Sequence, residues 1–300
     1  MEKKMSGTLV SKVLYEELRE YLNTKRKKKC KIIDISIGDD FGGKMYAEMK
    51  KKKVEAETGI PFESVHYDNM ELDDLYAEID RINKDKTIYG VMIQLPLPNN
   101  LRDHERDILD RISPLKDVDG LTSKCLGSLM VGNSSFVPCT PKGIIVLLKA
   151  YGVDLVGKNV SIINRSNIVG KPLSELFLME NATPTICHSK TEDLSYITKN
   201  SDIVVAALNK KEYIDSSFIS KGTVIVDVGV HRNSDGKTVG DVKYDDVFYK
   251  SKLITPPTGG VGPMTICMLC YNAAYSIYGN EVWNVLEKGI EKAKAKVLEK

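Results

Sequence analysis

Hydrophobic positions switch between two periods along the first third of this chain. Spacings of three and four residues over 10–29 predict a helix, and Lys31-Ile-Ile-Asp-Ile-Ser-Ile-Gly38 predicts a buried strand. A helix is expected over 44–58, closed by Gly59, then a strand at 64–67, a helix at 72–83, a strand at 90–95 and a helix near 101–112. Strands alternating with helices imply a largely parallel sheet covered on both faces, with ligands bound beyond the carboxyl ends of the strands. A helix beginning near Pro141 leads into a second pattern. Its strands fall at 159–164, 183–188, 202–208, 223–229 and 252–255, with a helix near 172–180 between the first two. This region reads as a Rossmann-like nucleotide domain. The apolar helix over 263–278 comes too late to complete that sheet and is expected to return to the first domain. The expected fold class is α/β, with two three-layer α/β/α domains. One is built from residues 1–139 plus 270–300; the other, Rossmann-like and nucleotide-binding, spans 140–269. No internal repeat or low-complexity linker is present.

Composition changes this picture little. The 300 residues are 42% hydrophobic and 28% charged, as in ordinary globular chains, and a formal net charge of +2 speaks against nucleic acid or membrane as a partner. The run Lys25-Arg-Lys-Lys-Lys29 falls at the end of the first expected helix, where the macrodipole favours cations, and reads as a solvated face. No apolar stretch is long enough for a membrane span, and the first residues lack the apolar segment of a secretory signal, so a cytoplasmic location is expected. Six scattered cysteines fit a reducing compartment. Cys267 and Cys270 lie in an apolar helical run without a second pair, and the four histidines form no ligand-spaced cluster, so no metal is expected.

Chemistry first shows in the turn Asn164-Arg-Ser-Asn-Ile-Val-Gly-Lys-Pro172, between a strand and a helix, where helix-terminal N–H groups hold a pyrophosphate. It lacks the G-x-G-x-x-G fingerprint; Asn164 can adopt positive φ, and Gly170 permits close packing. NAD enzymes usually carry an acidic residue at the end of the second strand, whereas here that strand ends His188-Ser-Lys-Thr191. Arg165 and Ser189 suit a 2′-phosphate, which a carboxylate would repel, and favour NADP. An ordinary surface turn would carry the same residues.

Tyr46 and Lys50, four apart, share one helix face. Lys50 opens a run of four lysines. Lys51, Lys52 and Lys53 have Glu55, Glu48 and Glu57 at pairing distance along the helix, but Lys50 has Tyr46 before it and Val54 after it. Burial and lysine neighbours would both lower its pKa and suit proton transfer, although exposed unpaired lysines are common. Gln94 ends a buried strand and is followed by Pro96 and Pro98; Asp119-Gly120 is also what a plain turn looks like. The glycines of Gly259-Gly-Val-Gly262 allow a ligand close to the backbone, and Pro263 suits a helix start.

Tyr46-Ala-Glu-Met-Lys50, Gln94-Leu-Pro-Leu-Pro98, Lys116-Asp-Val-Asp-Gly120, Pro138-Cys-Thr-Pro-Lys-Gly143, Arg165-Ser-Asn-Ile-Val-Gly-Lys-Pro172 and Gly259-Gly-Val-Gly-Pro-Met-Thr265 together closely resemble the bifunctional methylenetetrahydrofolate dehydrogenase/methenyltetrahydrofolate cyclohydrolase family. The resemblance runs in order from about residue 38 to 269. It implies hydride transfer from methylenetetrahydrofolate to NADP across the cleft between two domains, then hydrolysis of the methenyl product to formyltetrahydrofolate. It further implies that Lys50 manages protons, that Tyr46 and Gln94 position groups, and that Asp119 holds the amino-pyrimidine edge of the pterin. Gly259, Gly260 and Pro263 join Tyr46 and Asp119 at the folate. Thr140, Arg165, Ser166, Ile168, Ser189, Val230 and Thr265 contact the cofactor, and a homodimer is implied. Three positions depart from the family pattern: Asn164 and Thr258, where other residues are usual, and Gly43, where a serine is common. A dehydrogenase-only relative, a non-catalytic NADP-binding module and a lysine-rich RNA binder are the alternatives.

Overall fold

The computed structural model describes residues 3–26, 28–38, 41–133 and 136–299, the side chains of residues 41–46 excepted. The chain divides into two units. Tyr15–Cys139 and Met268–Glu287 form one; Met1–Leu14, Thr140–Cys267 and Lys288–Lys300 form the other.

The first unit is built from α1 (Gly7–Asn23), β1 (Lys31–Ile37), α2 (Phe41–Thr58), β2 (Phe62–Tyr67), α3 (Leu72–Lys84), β3 (Ile88–Ile93), α4 (Asn99–Arg102), α5 (Glu105–Asp110) and α6 (Ser123–Met130), the start of α1 belonging to the other unit. Its parallel sheet has the order β2-β1-β3. Along β1 the alternation of the sequence sorts side chains to two faces. Ile33, Ile35 and Ile37 join Leu75, Ile79 and Ile82 of α3 and Val91 and Ile93 of β3 in one core. Each such fully buried side chain is worth about 1.5–3 kcal/mol. Asp34, between them in sequence, points the other way.

The helix expected over 10–29 stops at Asn23. The Thr24 hydroxyl donates to the Tyr21 carbonyl, 2.7 Å away, and closes the last turn. The basic run therefore does not end that helix. Lys25 instead pairs with Glu281 at 2.6 Å, and Lys28 donates to the carbonyl of Ile277 at 2.8 Å. The single helix expected near 101–112 is two, α4 and α5, because three-residue bonds from Leu101 N–H to Pro98 and from His104 N–H to Leu101 break its register. The short α6 has no counterpart in the sequence reading; the Thr122 hydroxyl caps it by accepting from Cys125 N–H at 3.2 Å.

The second unit contains α7 (Cys139–Ala150), β4 (Asn159–Ile163), α8 (Gly170–Met179), β5 (Thr183–Cys187), α9 (Leu194–Lys199), β6 (Ile203–Ala206), β7 (Val224–Asp227), β8 (His231–Arg232), β9 (Thr238–Val239), α10 (Tyr244–Phe248) and β10 (Leu253–Ile254). α11 (Val261–Tyr278) and α12 (Glu281–Leu298) contribute residues to both units. The parallel sheet runs β10-β7-β6-β4-β5, which is 2-1-3-4-5 when its strands are counted in chain order. This is a doubly wound α/β sheet with its topological switch between β4 and β6. Ile203–Ala206 and Val224–Asp227 are buried throughout, as continuous apolar strands between two helical layers should be.

The chain start belongs to this second unit, whereas the sequence reading grouped residues 1–139. Met5 N–H donates to Ile254 and Ile254 N–H to Lys3, so the first residues extend the sheet beside β10. Residues 288–300 also fall with this unit, while 268–287 return to the first.

Asn272, 2% exposed on α11, donates to the carbonyls of Val118 at 2.8 Å and Val137 at 3.1 Å. Asn272→Leu leaves both carbonyls buried without that donor, and the expected loss of unfolding free energy is about 1–3 kcal/mol. Urea unfolding monitored by circular dichroism checks this; an unchanged midpoint would show that the amide holds nothing.

Candidate active site

The polar face of the first unit converges on a lysine. Lys50, on α2, is 7% exposed, and its ammonium donates to Gln94 Oε1 at 3.0 Å. Gln94 lies just past β3, its backbone N–H held by the carbonyl of Ile35. Its Nε2 donates to Asp34 Oδ1 at 2.6 Å. Asp34 is 1% exposed, and burial pushes its carboxyl above the usual range against the pull of Lys50 and Gln94. Nothing in the sequence singled out Asp34, which reads as one polar position in an isoleucine strand. Asp34 Oδ2 and Ser64 Oγ, which stand in register on β1 and β2, are buried without a hydrogen-bond partner among the described residues.

Of the three ion pairs expected along α2, Lys53 with Glu57 forms, at 2.8 Å. Glu55 instead accepts the backbone N–H of Phe62, which ties α2 to β2. Among the described residues neither Lys51–Glu55 nor Lys52–Glu48 forms. Tyr46 lies within α2, but its side chain falls outside the described residues.

Asp119 sits in a turn that its neighbours build. The Asp117 carboxylate accepts from Gly120 N–H at 2.9 Å and Thr122 N–H at 2.8 Å. Gly120 adopts φ 72°, and a Cβ there would stand 2.8 Å from Pro138 N, so only glycine fits. Burial pushes the Asp119 carboxyl up to about 6, with Lys50 pulling it down and Asp117 and Asp34 pushing it further up. Lys50, Gln94, Asp34 and Asp119 thus form one electrostatic cluster.

In the second unit the carboxyl ends of four neighbouring strands are level. Ile163 of β4 is in register with Cys187 of β5 and Ala206 of β6, and Ala206 with Asp227 of β7. Arg165, Ser166 and Ile168 follow the first of these ends, Ser189 the second and Val230 the fourth. Ser166 is half-buried and the other four are exposed. Asn164 shapes the turn by its side chain and does not take up the positive φ open to it. Its Oδ1 accepts from the N–H of Ser166 and Gly170 and from the Ser166 hydroxyl, at 2.8–2.9 Å. Its Nδ2 donates to Ala207 at 2.6 Å, bridging the ends of β4 and β6 at the switch point. A Cβ on Gly170 would lie 2.1 Å from the Asn164 carbonyl oxygen, which explains that glycine.

Two buried carboxylates shape the remaining loops, and the sequence reading missed both. Asp227 accepts from the N–H groups of Gly229, Asp241 and Val242, and burial still pushes its carboxyl up to about 7. Asp241 accepts from the N–H groups of Leu208, Asn209 and Lys210 and faces His231 Nε2 at 2.8 Å. Thr140 and Thr265 share a 2.9 Å hydroxyl contact. Gly259, at φ 79°, and Gly260 pack against the start of α1: Thr8 N–H donates to Gly259, and the Gly260 carbonyl would lie 1.9 Å from a Cβ on Gly7. Gly259 is fixed by its positive φ, and a Cβ on Gly260 would lie 2.5 Å from the Pro256 carbonyl oxygen. Gly262 has open space, and Pro263 lies in the first turn of α11. Cys267 and Cys270 are buried on that helix. Among the described residues no helix is long and apolar enough to cross a membrane.

A family model described as tetrahydrofolate dehydrogenase/cyclohydrolase, catalytic domain, matches residues 5–119, and its NAD(P)-binding counterpart matches residues 138–280. The bifunctional protein FolD of Agathobacter rectalis is 42% identical over 89% of this chain and 96% of its own. The crystal structure of the bifunctional FolD methylenetetrahydrofolate dehydrogenase/cyclohydrolase of Campylobacter jejuni superposes with a TM-score of 0.85 at 40% identity, covering 91% of this chain and 97% of that one. The Trypanosoma brucei dehydrogenase-cyclohydrolase, solved with NADP and an inhibitor, gives a TM-score of 0.84 at 31% identity, covering 92% of this chain and 98% of that one. With both halves of the chain matched and the fold shared, the protein belongs to the tetrahydrofolate dehydrogenase/cyclohydrolase family.

Proposed function

We propose that this chain oxidises 5,10-methylenetetrahydrofolate to the 5,10-methenyl compound with NADP, and hydrolyses that product to 10-formyltetrahydrofolate. The observation that carries the reading is the buried lysine of α2, hydrogen-bonded to Gln94 and set beside Asp119. NADP, when bound, accepts a hydride from the one-carbon bridge of the folate. The turn after β4 suits its pyrophosphate, because it runs into the start of α8, whose dipole favours an anion. Arg165 and Ser189 each stand two residues past strand ends that are in register, and suit the 2′-phosphate. Ser166, Ile168, Val230, Thr140 and Thr265 complete the proposed cofactor contacts.

Asp119 anchors the pterin by accepting two N–H donors from its amino-pyrimidine edge, and Tyr46, Gly259, Gly260 and Pro263 complete the proposed folate contacts. In the hydrolytic step water attacks the methenyl carbon. Lys50 in its neutral amine form takes up the water proton, becoming the ammonium that donates to Gln94, and returns that proton as the ring opens. Gln94 and Tyr46 hold the groups in place. Hydride transfer needs alignment but no proton from Lys50. The family resemblance also supports a cytoplasmic homodimer acting on tetrahydrofolate derivatives, without nucleic acid or membrane.

Lys50→Met keeps most of the stem and removes the ammonium. Hydrolysis of the methenyl compound is expected to fall about 10²–10⁴-fold while NADP reduction persists, so that the methenyl species accumulates. Lys51→Met, on the half-buried next residue, is the control. Wild-type hydrolysis by the Lys50 variant, followed by absorbance, would sink the assignment.

Asp119 accepts both pterin donors only when ionised, and its carboxyl titrates at about 6 in the ligand-free enzyme. Below that pH folate binding must expel a proton, so KM for methylenetetrahydrofolate should rise about tenfold per pH unit. Asp119→Asn should remove this acid-side rise and leave KM high at every pH. A flat wild-type profile between pH 4.5 and 7 would argue against the anchor.

Arg165→Ala should raise KM for NADP far more than KM for NAD. Equal effects on the two cofactors in steady-state assays would mean that Arg165 does not read the 2′-phosphate.

A further inference from the structure

Lys50 Nζ lies 3.0 Å from one end of the Gln94 amide, and Asp34 Oδ1 lies 2.6 Å from the other. A primary amide has one accepting end and one donating end, and an ammonium can only donate. Gln94 therefore serves the lysine only with its oxygen turned toward Nζ. That orientation is stable only where the NH₂ finds an acceptor on the far side, in a region closed to water. We propose that Asp34 is a positioning residue for the cyclohydrolase reaction: by accepting the Gln94 NH₂ it fixes which end of the amide faces Lys50.

Three observations support the assignment. Asp34 is 1% exposed at the middle of the central strand, a costly place for a carboxyl that only filled space. The backbone of Gln94 is held by Ile35, the next residue along β1, so the side chains of Asp34 and Gln94 meet at fixed separation. Asp34 Oδ2, unpartnered among the described residues, stands on the strand neighbouring Ser64, whose hydroxyl is also unpartnered. Asp34→Asn keeps the Oδ1 acceptor for Gln94 and breaks no bond at the Oδ2 position, which makes none among the described residues. Burial also favours the neutral carboxyl, a form that still accepts from Gln94.

The proposal rests on the assignment of Lys50 to proton handling, and its test separates the two. Asp34→Leu removes the acceptor while keeping the branched shape and frees the amide to turn. The kcat of methenyl hydrolysis is expected to fall about ten- to a hundredfold, with KM for the methenyl compound changed little and a raised ratio of NADP reduction to hydrolysis. Asp34→Asn, which still offers an oxygen to Gln94, should recover most of the lost kcat. In a Gln94→Leu background, Asp34→Leu should cost hydrolysis nothing further. Equal losses in both backgrounds would overturn the proposal, as would failure of Asp34→Asn to exceed Asp34→Leu in kcat. If Asp34→Leu does not fold, Asp34→Ala, which also removes the acceptor, replaces it: a loss of kcat confined to the chain with Gln94 intact supports the proposal, and equal losses in both backgrounds overturn it. Wild-type hydrolysis by Lys50→Met would instead remove the reading beneath it.

Discussion

Burying a lysine is the constraint around which the first unit is arranged. An ammonium taken out of water needs acceptors, and a parallel sheet with apolar strands offers few. The strand alternation of β1 resolves this by dividing one element between two tasks. Ile33, Ile35 and Ile37 hold the core on one face, and Asp34 carries polarity to the other. A slip of one residue would exchange the faces, placing a carboxyl in the isoleucine core and leaving the lysine side apolar. Register and chemistry are therefore set by the same pattern. The loop carrying Asp119 has its own supports, Asp117 from within and Asn272 from α11, so its position does not rest on the lysine.

The second unit meets a different constraint, the open carboxyl ends of four level strands. Loops leaving such an edge carry unpaired N–H groups, and here side-chain oxygens take them up. Asn164 serves the turn after β4, Asp241 the loop after β6, and Asp227 the segments around Gly229 and Val242. The exposed Arg165 and Val230 stand on segments that these bonds tie down from beneath.

Much of this was legible in the sequence, for physical reasons that differ from element to element. The parallel strands announced themselves as apolar runs. Lys50 stood out because Tyr46 and Val54 flank it along the helix where the other lysines of the run have glutamates, and the structure buries it against Gln94. Asp34 was not legible: a single polar residue in a strand gives no sign of what lies 60 positions away in the chain. The end of α1 was misread because lysines are good helix formers, whereas a threonine hydroxyl bonded to Tyr21 closes the turn earlier. Asn164 was read for its backbone freedom, yet its side chain does the bonding. Asp227 and Asp241 were missed because backbone N–H partners leave no trace in sequence.

The Asn164 turn bears on how this protein can diverge. A turn made by glycine depends on the absence of a side chain, and nearly every substitution there breaks it outright. A turn made by a carboxamide has separable parts, three bonds accepted by Oδ1 and one donated by Nδ2. Aspartate keeps the first set and loses the second; serine keeps a shortened version of either. Neighbouring genotypes thus offer a graded series of tightness at this turn, along which selection can move in small steps without passing through a broken fold.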